Sequence, residues 1–556
     1  MGQRAEVNKK DRKGWTALHH SAWNGHSKVV KYLISEGAED AKDGYDGWTA
    51  LHRSACNGHT DIVKYLVSQG AKVNEEDRCE RTRVDVMKYM ISEGAEVNKR
   101  DNIGKTTLHL AVQHGKFDVM KYLISEGAEV NTRDNIGKTA LHLAAEHGKF
   151  DVIEYLISEG AEVNTRDNIG KTALHLAAQH ACEYLISEGA EVNKKDKHGR
   201  NALHRAANRD DTNYVEYLIS QGAEVNTGDN GGRTALHGAA SFNHIDVIEY
   251  LISEGAEVNK RDKDGRTALH CAAEKAHYDI IKYLISQGAD VNNRTTNGWT
   301  VLHSAVTNGH IDTIKYLIGQ GVEVNKEDND GRTVLHKAAE KGYADSVIYL
   351  IRKGAEVNKE DNDGLTALHM AAKRYNIYSL QYLIRKGAEV NKEDNDGVTA
   401  LHRAAENGYI DFIRYLISQG AEVTKGDNNS RTVLHCAAWN GHIEVVKYLI
   451  SQGAEVNKGD NDGQTALHSV ANSGHIDVIE YLISQGAEVT KGDNNGRTVL
   501  HCAVWNGHIE VIKYLIGEGA EVNKGDKDGR TALHCAAEKA HYDIIKYLIS
   551  QGADTR

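Results

Sequence analysis

Along most of this chain apolar residues arrive in two short bursts separated by polar turns. Between Asp460 and Asn494, Ala466-Leu467-His468-Ser469-Val470-Ala471 opens one apolar face, and Val478, Ile479, Leu482 and Ile483 fall at helical spacing on a second. Spacings of three and four residues place side chains on one side of an α-helix, so the pattern predicts a short helix followed by a longer one over Ile476 to Ser484. Thr465 stands where its hydroxyl can accept a free backbone N–H of the first turn, and Asn472-Ser473-Gly474-His475 ends that helix. Gly486 can take the left-handed conformation that closes the second helix, while Asp462-Gly463 suits the tight turn of a hairpin-like finger.

The same unit returns with a fixed period. Thr-Ala-Leu-His or a close variant ends at His19, His52, His109, His142, His175 and His204, and then at ten further histidines down to His534. From His204 to His534 the interval is 330 residues, ten steps of 33 without a slip, and a fixed period of that length marks a solenoid. Two intervals break it. His52 to His109 spans 57 residues, so one unit lacks nine, and His175 to His204 spans 29, so another lacks four. The first loss, near 77–98, falls where a first helix belongs, which predicts a weak joint and sub-blocks 1–76 and 99–556. The second, near 167–195, is expected to remove the turn between the helices and the start of the second helix.

Asp-x-x-Gly-x-Thr-x-Leu-His-x-Ala-Ala, then Asn-Gly-His-Ile-Asp-Val-Ile-x-Tyr-Leu-Ile and Gly-Ala-Glu-Val-Asn, resemble the ankyrin repeat over essentially the whole chain. The resemblance implies an all-α solenoid, residues 1–556, of about seventeen stacked helix-turn-helix units with hairpin-like fingers. It also implies that the repeated histidine bonds locally to brace finger and helix, and that partners are held on a concave face formed by the fingers and the ends of the first helices. The family usually carries proline where this chain has Ala466, Ala268 or Val499, the first helical position, and the chain contains no proline at all. The chain opens on Ala5-Glu6-Val7-Asn8, the tail of a unit, and closes at Ala553-Asp554 without a polar cap, which is expected of a segment of a longer protein.

Charge narrows the partners. There are 67 Lys and Arg against 79 Asp and Glu, a net charge of -12, with the signs interleaved as in Lys458-Gly459-Asp460-Asn461-Asp462. A nucleic-acid surface wants clustered cations, so nucleic acid is not an expected partner. The longest apolar runs, such as Tyr283-Leu284-Ile285, are too short to enter a membrane, and nothing at Met1 resembles a secretory leader. A cytoplasmic or nuclear location is expected. Seven cysteines without any Cys-x-x-Cys pair are expected to be reduced core thiols.

Thirty histidines invite a metal or acid–base reading, but sixteen of them are one repeat position, and a ladder of isolated rings is not a convergent site. The acidic turns, such as Asp328-Asn329-Asp330-Gly331, lack the alternating ligands and distal glutamate of a calcium loop and are read as turn chemistry. No phosphate loop, nucleophile elbow or kinase motif is present. The expectation is a chain without catalytic residues, metal or cofactor.

All six tryptophans fall where the family binds partners. Trp15, Trp48 and Trp299 occupy the finger in Gly-Trp-Thr, and Trp23, Trp439 and Trp505 end first helices. Aromatic anchors carry much of the energy of protein interfaces, so these six are the candidate partner-binding residues of a protein-protein interaction scaffold. Packing between neighbouring fingers is the rival role. An adaptor to a spectrin-type membrane skeleton, or the regulatory ankyrin region of a larger enzyme or channel, are the alternative functions that the resemblance allows.

Overall fold

A computed structural model describes residues 6–12, 14–41, 49–57, 59–71, 91–93, 96–101, 103–177 and 179–555. Among these lie 32 helices in alternating short and long pairs, and each of the sixteen second helices is nine residues long. In the repeat singled out above they run Ala466–Ser473 and Ile476–Ser484. Thr465 precedes the first in extended conformation, and Gly474 ends it in the left-handed region at φ 86, where a side chain would be strained. Leu467, Val470 and Ala471 of the first helix and Val478, Ile479 and Leu482 of the second are buried against one another. Within Met1–Lys263 and within Asp264–Arg556, first helices of consecutive repeats pack together, as do most second helices, so the apolar face of one repeat is covered by its neighbour.

The fingers are tight turns with almost no strand. The Asp460 N–H donates to the Gln464 carbonyl at 2.9 Å, while Asp460 Oδ1 accepts the N–H groups of Asp462 and Gln464 at 3.0 and 2.9 Å. Antiparallel bridges close the fingers at Arg100–Thr106, Arg294–Thr300, Gly426–Thr432 and Gly492–Thr498. Successive fingers are joined: the Asn494 N–H donates to the Asp462 carbonyl at 2.7 Å. Gly463, at φ 76, sits under that contact, and a Cβ there would lie 2.7 Å from Asn494 Oδ1.

The chain divides into two compact bodies, Met1–Lys263 and Asp264–Arg556. The joint expected near 77–98 falls mostly on residues 72–90, outside the described residues. The other short repeat is visible. Its first helix is cut to Ala173–Leu176, four residues, and its second keeps all nine, Gln179–Ser187. The four-residue loss is therefore taken from the end of the first helix and the turn. The second helix keeps its start because its apolar face, with Ala181, Cys182 and Leu185 buried, is what docks the repeat onto its neighbours.

Candidate protein-binding face

The repeated histidine is a structural staple with two distinct ends. In the repeat of Thr465 the backbone N–H of Thr465 donates to His468 Nδ1 at 3.2 Å, and the Thr465 hydroxyl lies 2.9 Å from the same nitrogen. Nδ1 is thereby an acceptor, which leaves the proton on Nε2, and Nε2–H donates to the Arg497 carbonyl of the next finger at 3.2 Å. The local brace implied by the family resemblance is present, and to it is added a bond between repeats. Burial lowers the pKa of His109, His142, His175, His204, His303, His336, His369, His402, His435, His468 and His501, with that of His303 falling to about 4. Both nitrogens of these rings are committed, and the rings stand one repeat apart.

The acidic turns are committed as well. Asp328 Oδ1 accepts the backbone N–H groups of Asp330 and Arg332 at 3.0 and 2.9 Å, closing the finger. A second staple lies in Gly-Ala-Glu-Val-Asn, which sequence reasoning had left without a role. Asn457 Nδ2–H donates to the Gly486 carbonyl at 2.9 Å, and Asn457 Oδ1 accepts the Glu488 N–H at 3.0 Å, so one amide clamps the same loop of the next repeat from both sides. The recurrence of Asn at this position carried the signal. What hid its meaning is that both partners lie some thirty residues away.

Four of the six tryptophans lie beneath a cation supplied by the following repeat. In the N-terminal body Trp15 and Trp23 are tilted rings with centroids 5.9 Å apart, and the Arg53 guanidinium sits 4.1 Å from the first and 5.7 Å from the second. In the C-terminal body the Lys337 ammonium lies 5.2 Å from Trp299, and that of Lys539 4.0 Å from Trp505. A cation over a tryptophan face contributes about 0.5–2 kcal/mol depending on exposure, so these rings help to hold repeats together. Trp48 lies outside the described residues.

Trp439 is placed differently. It is 45% exposed at the end of the helix Val433–Trp439. It lines an open groove of about 740 Å³ between two fingers and the neighbouring first helices, with Arg403, Glu406, Arg431, Asp462 and Ser469 among the walls. In the N-terminal body a different feature stands out: the finger tips Ile103, Ile136 and Ile169 are exposed at 56, 58 and 43%. Their carbonyls accept the N–H of the next finger at 2.9–3.0 Å, making a continuous row.

Among the described residues no helix is long and apolar enough to cross a membrane. No match is found among curated proteins. The family model for ankyrin repeats, in three copies, matches in eleven overlapping segments from 1–77 and 79–167 through to 491–556. With its fixed repeat spacing, paired helices and linked fingers, the chain belongs to the ankyrin-repeat family.

Proposed function

We propose that this chain is a non-catalytic scaffold that holds other proteins against its fingers and first helices. The observation that carries the reading is the exposed Trp439 ring in an open groove walled by three successive repeats. Exposed aromatic groups set in a rigid concavity are the usual anchors of protein interfaces, and ankyrin repeats are protein-interaction modules. The absence of a catalytic role is supported by where the candidate chemistry goes: the repeated histidines and finger aspartates are already bonded to backbone that they organise. The same reading places the array in the cytoplasm, where its buried thiols Cys182, Cys271, Cys502 and Cys535 stay reduced.

The test is capture of partners from cell extract by the whole chain beside Trp439→Ala and a Trp15→Ala, Trp23→Ala double variant. Circular dichroism checks that all three remain folded, and each captured protein is then purified and titrated directly. A partner that binds the intact chain and is lost with Trp439→Ala supports the scaffold. Should no purified protein bind the folded chain, the proposal fails.

A further inference from the structure

The chain contains its own precedent for what a tryptophan in this position receives. Trp505 occupies the same repeat position as Trp439, 66 residues or two repeats later, and its face is covered by Lys539, 34 residues on. Trp23 holds that position in the N-terminal body and is reached by Arg53, 30 residues on. For Trp439 the corresponding positions are Ser473 and Ser469. Ser473 turns its hydroxyl to the Val470 carbonyl of its own helix at 3.3 Å, and Ser469 is a buried wall of the groove. Among the described residues no cation lies over the Trp439 ring.

The groove is nevertheless dressed for a cation. Glu406, Asp427, Asp460 and Asp462 line it, against the guanidinium groups of Arg403 and Arg431. Arg403 is already engaged, by Asp394 at 3.1 Å and by Glu406 at 3.6 Å. Four carboxylates against two guanidinium groups leave the walls of the groove that Trp439 lines net negative, and an aromatic ring in a negative surround is a combination that attracts a lysine or arginine side chain.

We propose that Trp439 is a cation-receiving position left open by this chain, and that the partner supplies an arginine or lysine side chain to it. The inference rests on the scaffold reading above and specifies the chemistry of its partner: a basic segment whose cation sits over the indole while its neighbours meet Asp460 and Asp462.

The experiment uses the full chain with 15N-labelled tryptophan indoles, the Trp439 resonance being identified by its loss in Trp439→Phe. The probes are short glycine-serine peptides with one central arginine, lysine or glutamate. The arginine and lysine peptides are expected to shift the Trp439 resonance saturably, more weakly as salt is raised, and the glutamate peptide to leave it in place. In Ser473→Lys the chain fills its own position, and the response of Trp439 weakens about tenfold. In Lys539→Ser, Trp505 begins to respond to the same peptides. No shift at Trp439, an equal shift with glutamate, or an unchanged response in Ser473→Lys overturns the proposal. Loss of captured proteins on Trp439→Ala without any peptide response would defeat this inference and leave the scaffold standing. A peptide response on a chain that binds no protein would do the reverse.

Discussion

Tyr214 donates its phenolic hydrogen to the Leu174 carbonyl oxygen, 3.0 Å away in the preceding repeat. That carbonyl belongs to the first helix shortened to four residues, and the last carbonyls of a helix need partners from outside it. Ala181 and Cys182 stand in the short repeat where Val152 and Ile153 stand in the one before, so apolar volume is lost as well as a helical turn. Tyr214, almost fully buried, supplies both the missing volume and the missing donor. Phe412 holds the same repeat position as Tyr214 and likewise turns towards the repeat before it, where a small residue, Ser379, precedes it in register. Its ring stacks on that of Tyr375 with centroids 5.2 Å apart.

Tyr214→Phe is therefore expected to destabilise by about 1–3 kcal/mol, the cost of leaving a buried carbonyl unpaired. Tyr214→Ala should cost more, roughly 3–5 kcal/mol, through the cavity. Hydrogen exchange over residues 173–187 is the check: protection there should fall more than in the distant repeats. Equal loss throughout the array would mean that Tyr214 does not act on the short repeat in particular.

Removing the histidine staple should matter by position. His468→Ala leaves the Thr465 N–H without its partner and removes one of the two hydrogen bonds that the Arg497 carbonyl accepts, the other coming from the Asp493 N–H, and is expected to cost roughly 2–3 kcal/mol. His534 bonds Thr531 within its own repeat and is exposed, so His534→Ala should cost about 1 kcal/mol. Urea unfolding of the two variants side by side measures the difference.

Acid should unfold the array through these rings. Burial lowers the folded-state pKa of eleven of them, so between that value and the ordinary 6.5 the unfolded chain binds more protons. Their contribution is complete above pH 6.5 and is lost as pH falls below it, towards about 4 in the case of His303. Denaturation midpoints taken from pH 8 to pH 4 should fall progressively below about 6.5, and His303→Gln should make that decline shallower.

Proline at the first helical position should strengthen a repeat. Thr267 is extended, as a residue before proline must be, and Ala268 begins the helix. Ala268→Pro is expected to stabilise by about 0.4–1 kcal/mol, chiefly by restricting the unfolded chain. A lower thermal midpoint than that of the parent chain would contradict this.

Much of a single repeat was legible in advance. The second helix lies at Ile476–Ser484 as its apolar spacing requires, and Thr465, Gly463 and Gly486 hold the cap and turn conformations that their chemistry suits. The four-residue loss at 167–195 was legible as a number and misplaced in position, because alignment compares residues while the helices yield where burial is least. The tryptophans were legible as a set, yet their chemistry diverges. Trp15, Trp23, Trp299 and Trp505 each meet a cation from the next repeat, whereas Trp439 opens on a groove.

The amino-acid order by itself determined the family, the period and the local structure of each repeat, since helix spacing, caps and turns depend on residues within a few positions of one another. Tertiary structure decided which side chains are spent in holding repeats together and which stay exposed. Asn457, the far nitrogen of His468, Arg53 and Tyr214 all act across roughly 30 to 40 residues of chain. Only stacking brings such positions within hydrogen-bonding or ring-contact distance, and only there does Ser473 in place of a lysine leave the face of Trp439 open.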